Sequence, residues 1–216
     1  QAANYVDKIV VATTTNIEDE KIVVLCESLG VAVYCGSVDD VLDRYYQAAK
    51  RYNPENIVRI TSDCPLIDPS IVDQSIREYI NLGVDYYSSQ LEQRLPDGED
   101  VEVFSFAALE TAWTEAKLLS EREHVTPYIR NNPDKFKISG LKTKEDYSTK
   151  RWTLDNIEDY EFIKFIYMHL YGKNKLFGMQ DILLLIRKYP EIENVNFHID
   201  RNAGYKKSLR EDKIIK

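Results

Sequence analysis

KIVVATTTNIEDEKIVVLCESLGVAVYCG, running from Lys8 to Gly36, is the stretch that decides the fold class. Its first residues, Lys8 to Thr13, form a short apolar run rich in β-branched side chains, the pattern of a buried strand. Ile22, Leu25, Cys26 and Leu29 then recur at helical spacing and predict one apolar face on a helix from about Glu18 to Leu29, with Gly30 as its stop. Val31 to Cys35 is a second apolar run. Strand, helix and strand in so short a stretch make a βαβ unit, whose right-handed crossover requires parallel pairing.

The same beat continues outward. A helix from Val38 to Tyr52 has Asp39 or Asp40 suited to its first turn, and Ile57 to Ile60 is a third strand. A helix from Pro69 to Leu82, closed by Gly83 with Ser70 and Asp73 near its entry, leads to a strand at Asp85 to Ser89. The beat then breaks. Pro96-Asp97-Gly98 is a turn signal before a strand at Val101 to Ser105. Helices are expected at Ala107–Lys117 and Arg122–Asn131, and strands at Lys137–Leu141 and Trp152–Leu154. Further helices follow at Glu158–Tyr171 and Met179–Lys188. Arg201 to Lys216 reads as a charged tail, ordered only in part. The expectation is one α/β domain over residues 1–216.

Composition narrows the function. The chain has 216 residues, 44% hydrophobic and 30% charged, with a formal charge of −8. A nucleic-acid binder needs a basic face that such a balance does not offer. An acidic enzyme can still take a nucleotide if a metal and local donors neutralise its phosphates. No stretch approaches the ~20 apolar residues of a membrane span, and no signal peptide is recognisable. Cys26, Cys35 and Cys64 lack zinc spacing and read as reduced thiols in a cytoplasm. The chain opens on Gln1 rather than Met and runs almost at once into a strand, so a further N-terminal segment is expected.

In an open parallel sheet ligands bind beyond the carboxyl ends of the strands, here the loops after Thr13, Cys35, Ile60 and Leu154. The third is the most informative: Arg59-Ile60-Thr61-Ser62-Asp63-Cys64-Pro65 ends a strand in two hydroxyls and a carboxylate. Asp63 could hold a hard cation against phosphate oxygens, or cap a turn. In Arg151-Trp152-Thr153-Leu154-Asp155-Asn156 the logic repeats, with Asp155 or Asn156 as the competing helix N-cap. Gly36-Ser37 enters a helix and could offer backbone donors to a base or phosphate. Arg44 could reach a phosphate or pair with Asp40 at i+4. His124, in Glu121-Arg122-Glu123-His124, could bind a sugar group or be structural. Cys64 invites a nucleophile reading, against which no histidine lies nearby in sequence.

TSDCPLIDP (61–69), LPDGEDVEVFSFAALE (95–110), EREHVTPYI (121–129) and RWTLDNIEDYEFI (151–163) occur in one order, and together they resemble the spore-coat polysaccharide cytidylyltransferases. Those are relatives of the enzymes that make CMP-activated Kdo and sialic acid. The resemblance covers about Tyr5 to Asn202. It implies a three-layer α/β/α nucleotide-diphospho-sugar transferase (GT-A-like) fold with a mostly parallel, mixed sheet. It also implies transfer of CMP from CTP to a sugar or sugar acid with release of pyrophosphate. Asp63 and Asp155 would be the catalytic metal ligands, for magnesium. Gly36 and Ser37 would lie near the base, with Thr13, Arg44 and Ser62 as further nucleotide contacts. Asp97, Gly98 and Asp100, with Glu123 and His124, would face the sugar. The partners expected are CTP and a small sugar, with a second copy of the chain as a candidate, and neither nucleic acid nor membrane. The family opens on a strand and a Gly-, Arg- and Lys-containing loop around the triphosphate; no such loop lies between Gln1 and Lys8. Two other readings remain: a GT-A glycosyltransferase using a finished nucleotide-sugar, and a non-catalytic sugar-nucleotide binder.

Overall fold

The computed structural model describes residues 1–215. β1 (Val10–Thr14) and β2 (Ala32–Gly36) pair in parallel, Val10 opposite Ala32 and Thr14 opposite Gly36, around a 3-10 turn at Ile17–Asp19 and α1 (Glu20–Ser28). α2 (Val41–Tyr52) starts at Asp40, whose carboxylate accepts from Asp43 N–H at 2.9 Å. It ends on Asn53, which turns left-handed at φ 48°. β3 (Asn56–Arg59) leads to α3 (Pro69–Leu82), which has Asp68 as N-cap, Pro69 in the first turn and left-handed Gly83 after it.

β4 (Tyr86–Ser88) and β5 (Glu102–Ser105) are followed by α4 (Phe106–Glu115), α5 (Leu119–His124) and α6 (Pro127–Arg130). β6 (Ile138–Gly140), α7 (Ile157–Leu170), α8 (Met179–Lys188), a 3-10 turn (Pro190–Val195) and α9 (Ala203–Arg210) complete the chain. The larger sheet has the order β3-β5-β4-β6. In it β4 and β6 are parallel, and β5 runs antiparallel to both β3 and β4, so one strand is reversed. Among the described residues, β1 pairs only with β2 and β3 only with β5.

Strand alternation builds the three layers. Tyr86 and Phe104 face Leu42, Tyr46, Leu109 and Ala112 of α2 and α4. Their neighbours Tyr87 and Val103 face Ile71, Val72, Ile76 and Tyr79 of α3 on the other side. A third apolar cluster joins Trp152 to Phe162 and Ile166 of α7 and to Ile182 and Ile186 of α8.

Four local expectations are corrected. Trp152–Leu154 is not a strand, because its amides bond turn carbonyls (Trp152 to Asp97, Leu154 to Asp63) and no ladder can grow. The helix expected over Arg122–Asn131 is two pieces, split where Val125 adopts φ 72° and Pro127 begins a new turn. α1 buries only Cys26 and leaves Ile22, Leu25 and Leu29 exposed, since the two-stranded sheet beside it is too narrow to cover that face. The described part of the tail, residues 201–215, packs on the fold; Lys216 lies outside the described residues. α9 docks on α5, Asp212 accepts from Ser120 N and Oγ at 3.1 and 2.7 Å, and Lys213 and Ile215 bond Leu119 and Lys117.

Candidate active site

The turn after β3 carries Asp63 to the end of the larger sheet, where its carbonyl accepts from Leu154 N–H at 2.8 Å and from Thr153 Oγ1 at 3.1 Å. Two acidic segments far apart in sequence are thereby stitched together, with Asp155 the residue after Leu154. Neither carboxylate has the capping role that would explain it away. Among the described residues Asp63 makes one weak side-chain bond, to Cys64 Sγ at 3.7 Å. Asn156 stands at the start of α7, and Asp159 accepts the N–H groups of both Asp155 and Asn156 at 3.0 Å. The Asp155 side chain is 51% exposed and accepts from Arg151 Nη2 at 2.7 Å.

No group of three or more metal-ligating side chains forms among the described residues. Asp63, whose carboxylate has only the long bond to Cys64 among the described residues, and Asp155, which gives one oxygen to Arg151, fit a magnesium ion that keeps its waters or takes phosphate oxygens, because magnesium seldom asks for an all-protein cage. Asp68 cannot join them as a second acid on the same loop: its carboxylate is used by Ser70 N–H at 2.7 Å and Met179 N–H at 2.8 Å. Cys64 is buried, and burial, together with Asp100, pushes its thiol well above the ordinary range, which rules out an activated nucleophile.

The Pro96–Asp100 turn closes one side. Gly98 has φ +108°, and a β-carbon there would meet the Trp152 backbone at 2.7 Å, so only glycine lets the two segments touch. Asp97 is buried, and burial raises its pKa against the pull of Arg201 and Arg151, while Asp155 and Asp63 raise it further. All three acids therefore share one field. Glu99 has no exposure and is pushed far up by burial, with Oε2 accepting from Asp68 N–H at 2.9 Å.

Asp100 is pushed up to about 6 by burial, with Asp97 and Glu102 adding to it and the Gly98 N–H and Arg201 opposing. A carboxyl whose folded pKa lies above its unfolded one stabilises the fold most below about pH 4, an advantage lost as pH rises through about 6. Asp100→Asn is expected to remove a stability decline of up to about 3 kcal/mol across that window. Urea unfolding of both proteins at several pH values checks it, and equal slopes would refute it.

Of the nucleotide candidates, Thr13, Gly36, Ser37 and Arg44 gather at the ends of β1 and β2 and the start of α2, while Ser62 sits on the Asp63 turn. Thr13, opposite Cys35, is buried and donates to Asp19 Oδ2 at 2.8 Å; Thr14 donates to the same oxygen through N–H and hydroxyl, and these bonds hold Asp19 below its usual pKa. Gly36 lies against Arg44, whose Cγ a β-carbon would meet at 2.9 Å. Arg44 does not pair with Asp40. It donates to the Ser37 carbonyl at 3.0 Å, while Asp40 is held by Arg122 at 2.6 Å and Ser37 Oγ accepts from Asp40 N–H. Ser62 is exposed beside Asp63.

Glu123 and His124 lie under α9, where Ser208 Oγ sits 2.9 Å from His124 Nε2 and donates to Glu123 at 2.8 Å. Burial lowers the His124 pKa, and the charges of Arg59 and Glu102 also act on it. Arg59 and Glu102 form a buried pair that sequence reading passed over, as it did the roles of Arg151 and Asp159. The spacing of Asn156 and Asp159 at the start of α7 is the signal that could have found Asp159; Arg151 lies outside that helix and left none.

A profile of the Cytidylyltransferase family matches residues 1–186. The chain is 40% identical over 204 residues to an uncharacterized protein of Methanocaldococcus jannaschii, covering 93% of this chain and 81% of that one. It is 30% identical over 188 residues to the spore coat polysaccharide biosynthesis protein SpsF of Bacillus subtilis, covering 86% and 77%. A solved cytidylyltransferase from Leptospira borgpetersenii serovar Hardjo-bovis superposes with a TM-score of 0.84 at 34% identity, covering 89% of this chain and 81% of that one. No helix is long and apolar enough to cross a membrane among the described residues. With family profile, relatives and fold in agreement, the chain belongs to the cytidylyltransferase family and is a nucleotidyltransferase.

Proposed function

We propose that the protein transfers CMP from CTP to a sugar or sugar acid and releases pyrophosphate, supplying an activated sugar for a surface or spore-coat polysaccharide. The observation that carries this reading is the joining of the Asp63 and Asp155 segments by the Leu154 N–H and Thr153 hydroxyl bonds, with both carboxylates left without a capping task. The likeness to the Bacillus subtilis protein supports the polysaccharide setting. We place the reaction in the cytoplasm, where nucleoside triphosphates are held.

Asp63 and Asp155 would hold the divalent ion, taken as magnesium, which when bound neutralises phosphate charge. Gly36 and Ser37 flank the base, and Thr13, Arg44 and Ser62 orient the rest of the nucleotide. Asp97, Gly98 and Asp100 shape the acceptor side, with the Glu123–His124 segment beyond the Arg59–Glu102 pair. The acceptor hydroxyl oxygen bonds to the α-phosphorus as the bond to the bridging oxygen breaks. Pyrophosphate leaves with that electron pair, and the hydroxyl proton passes to solvent. Little covalent help is needed; alignment and charge neutralisation carry such a substitution.

Nucleotide preference is the test. At ~100 times its dissociation constant CTP with magnesium adds ~2.7 kcal/mol of stability, which a melting scan resolves. CTP is expected to raise the melting temperature more than ATP, GTP or UTP, and pyrophosphate is expected to appear once a sugar acceptor is supplied. Equal shifts for all four nucleotides would remove the cytidylyl assignment.

A further inference from the structure

At the centre of the acidic edge lies a cation with almost no solvent contact. The Arg151 side chain is 6% exposed and faces three carboxylates. Nε reaches Asp159 Oδ1 at 2.8 Å, Nη2 reaches Asp159 Oδ2 at 2.9 Å and Asp155 Oδ2 at 2.7 Å, and Nη1 reaches Asp97 Oδ2 at 3.1 Å. Its own carbonyl accepts from Asn196 Nδ2 at 3.0 Å. Asp159, fully buried, is fixed from every side: it accepts two bonds from Arg151, one from Asn196, and the N–H groups of Asp155 and Asn156. Burial pushes Asp159 up, but these donors outweigh it and bring its pKa to about 2.

Asp155 is thus gripped twice, by its backbone N–H through Asp159 and by one carboxylate oxygen through Arg151. Its other oxygen, Oδ1, has no partner among the described residues. We propose that Arg151 is the positioning residue for Asp155, holding one oxygen so that the other is presented beside Asp63. This rests on the reading of Asp155 as a metal ligand. The guanidinium is suited to the task because its planar fork serves three carboxylates at once, whereas a lysine ammonium lacks that fixed geometry. Its charge also offsets repulsion among Asp97, Asp155 and Asp159, without which the half-exposed Asp155 would turn away into water.

Arg151→Lys in the full chain, titrated with Mn2+ in the presence of CTP and followed by electron paramagnetic resonance, tests this without turnover. Metal affinity is expected to fall about tenfold or more, the usual result of removing a partner that orients a ligand. Half-saturating magnesium for pyrophosphate release is expected to rise by the same factor, with the sugar KM unchanged at saturating metal. Arg122→Lys, which disturbs the half-buried pair with Asp40, controls for destabilisation alone: its melting temperature should fall while Mn2+ affinity stays put. Should Arg151→Lys fail to fold, Asp159→Asn loosens the same grip and is expected to weaken Mn2+ binding likewise. Unchanged Mn2+ affinity in the folded variant overturns the inference. A wild type that binds Mn2+ in this Arg151-dependent way yet releases no pyrophosphate overturns the functional reading instead.

Discussion

Asp63→Asn is expected to slow pyrophosphate release by about a thousandfold, equivalent to about 4 kcal/mol of barrier. The melting temperature should stay within about 2 °C of wild type. The two halves of this result have different causes. What ties Asp63 into the fold is its backbone carbonyl, bonded by Leu154 and Thr153, and an asparagine keeps that carbonyl. What the variant loses is one negative oxygen pair at a position where, among the described residues, the side chain otherwise makes only a long bond to Cys64. A ligand for a hard cation cannot give up its charge without weakening the ion that offsets phosphate repulsion. A turn cap would behave in the opposite way, with stability lost and rate kept. Initial rates with saturating CTP and acceptor, beside a melting scan, separate the two; a variant retaining a tenth of wild-type activity would sink the metal-pair proposal.

The opening βαβ unit was legible in the sequence because it is written locally. β-branched runs separated by amphipathic helices specify parallel crossovers, and an aspartate at the end of an apolar run marks a sheet edge. Asp63 is singled out by that rule; Asp155 follows from the same rule applied to Trp152–Leu154, which is no strand, and its segment meets Asp63 through turn bonds instead. What stayed hidden depends on partners distant in sequence. Arg151 lay in plain view within RWTLD, yet its meaning comes from Asp97 and Asn196, which only the folded chain brings near it. Trp152–Leu154 has strand-like composition, but its amides bond turn carbonyls, a fact of tertiary structure. The tail from Arg201 looked like solvated charge because α9 has few apolar residues; its docking rests on Ser208, Tyr205 and Asp212 meeting α5, polar contacts with no periodic trace. Nothing in EREHVTPYI announces the helix packed over His124, so the sequence left a sugar contact and a structural role both open there.

The largest stability change is expected away from the acidic pair, at Glu102. This first residue of β5 is 9% exposed and collects Arg59 Nη1 at 2.5 Å, Tyr86 Oη at 2.5 Å and Thr126 Oγ1 at 2.6 Å. Burial pushes its carboxyl up, but Arg59, Arg130 and these hydroxyls outweigh it and hold the pKa below the ordinary glutamate value. The pair's contribution is therefore present above the unfolded pKa and is lost as pH falls through the lower folded one. Glu102→Ala leaves the Arg59 guanidinium buried with Nε already lacking a partner, and strands two hydroxyls besides. Breaking one side of a buried pair costs about 3 to 5 kcal/mol, and that loss is expected here in denaturant unfolding at neutral pH. Removing both charges is a different matter, because an apolar pair of similar volume escapes the desolvation penalty that the ions bear. Arg59→Met with Glu102→Leu is accordingly expected to be more stable than Glu102→Ala, although the Tyr86 and Thr126 hydroxyls stay unpartnered at about 1 to 3 kcal/mol each. If Glu102→Ala costs less than about 1 kcal/mol, the pair behaves as a solvated one. If the double variant is no better than the single one, the three hydrogen bonds and not the charge are what Glu102 contributes.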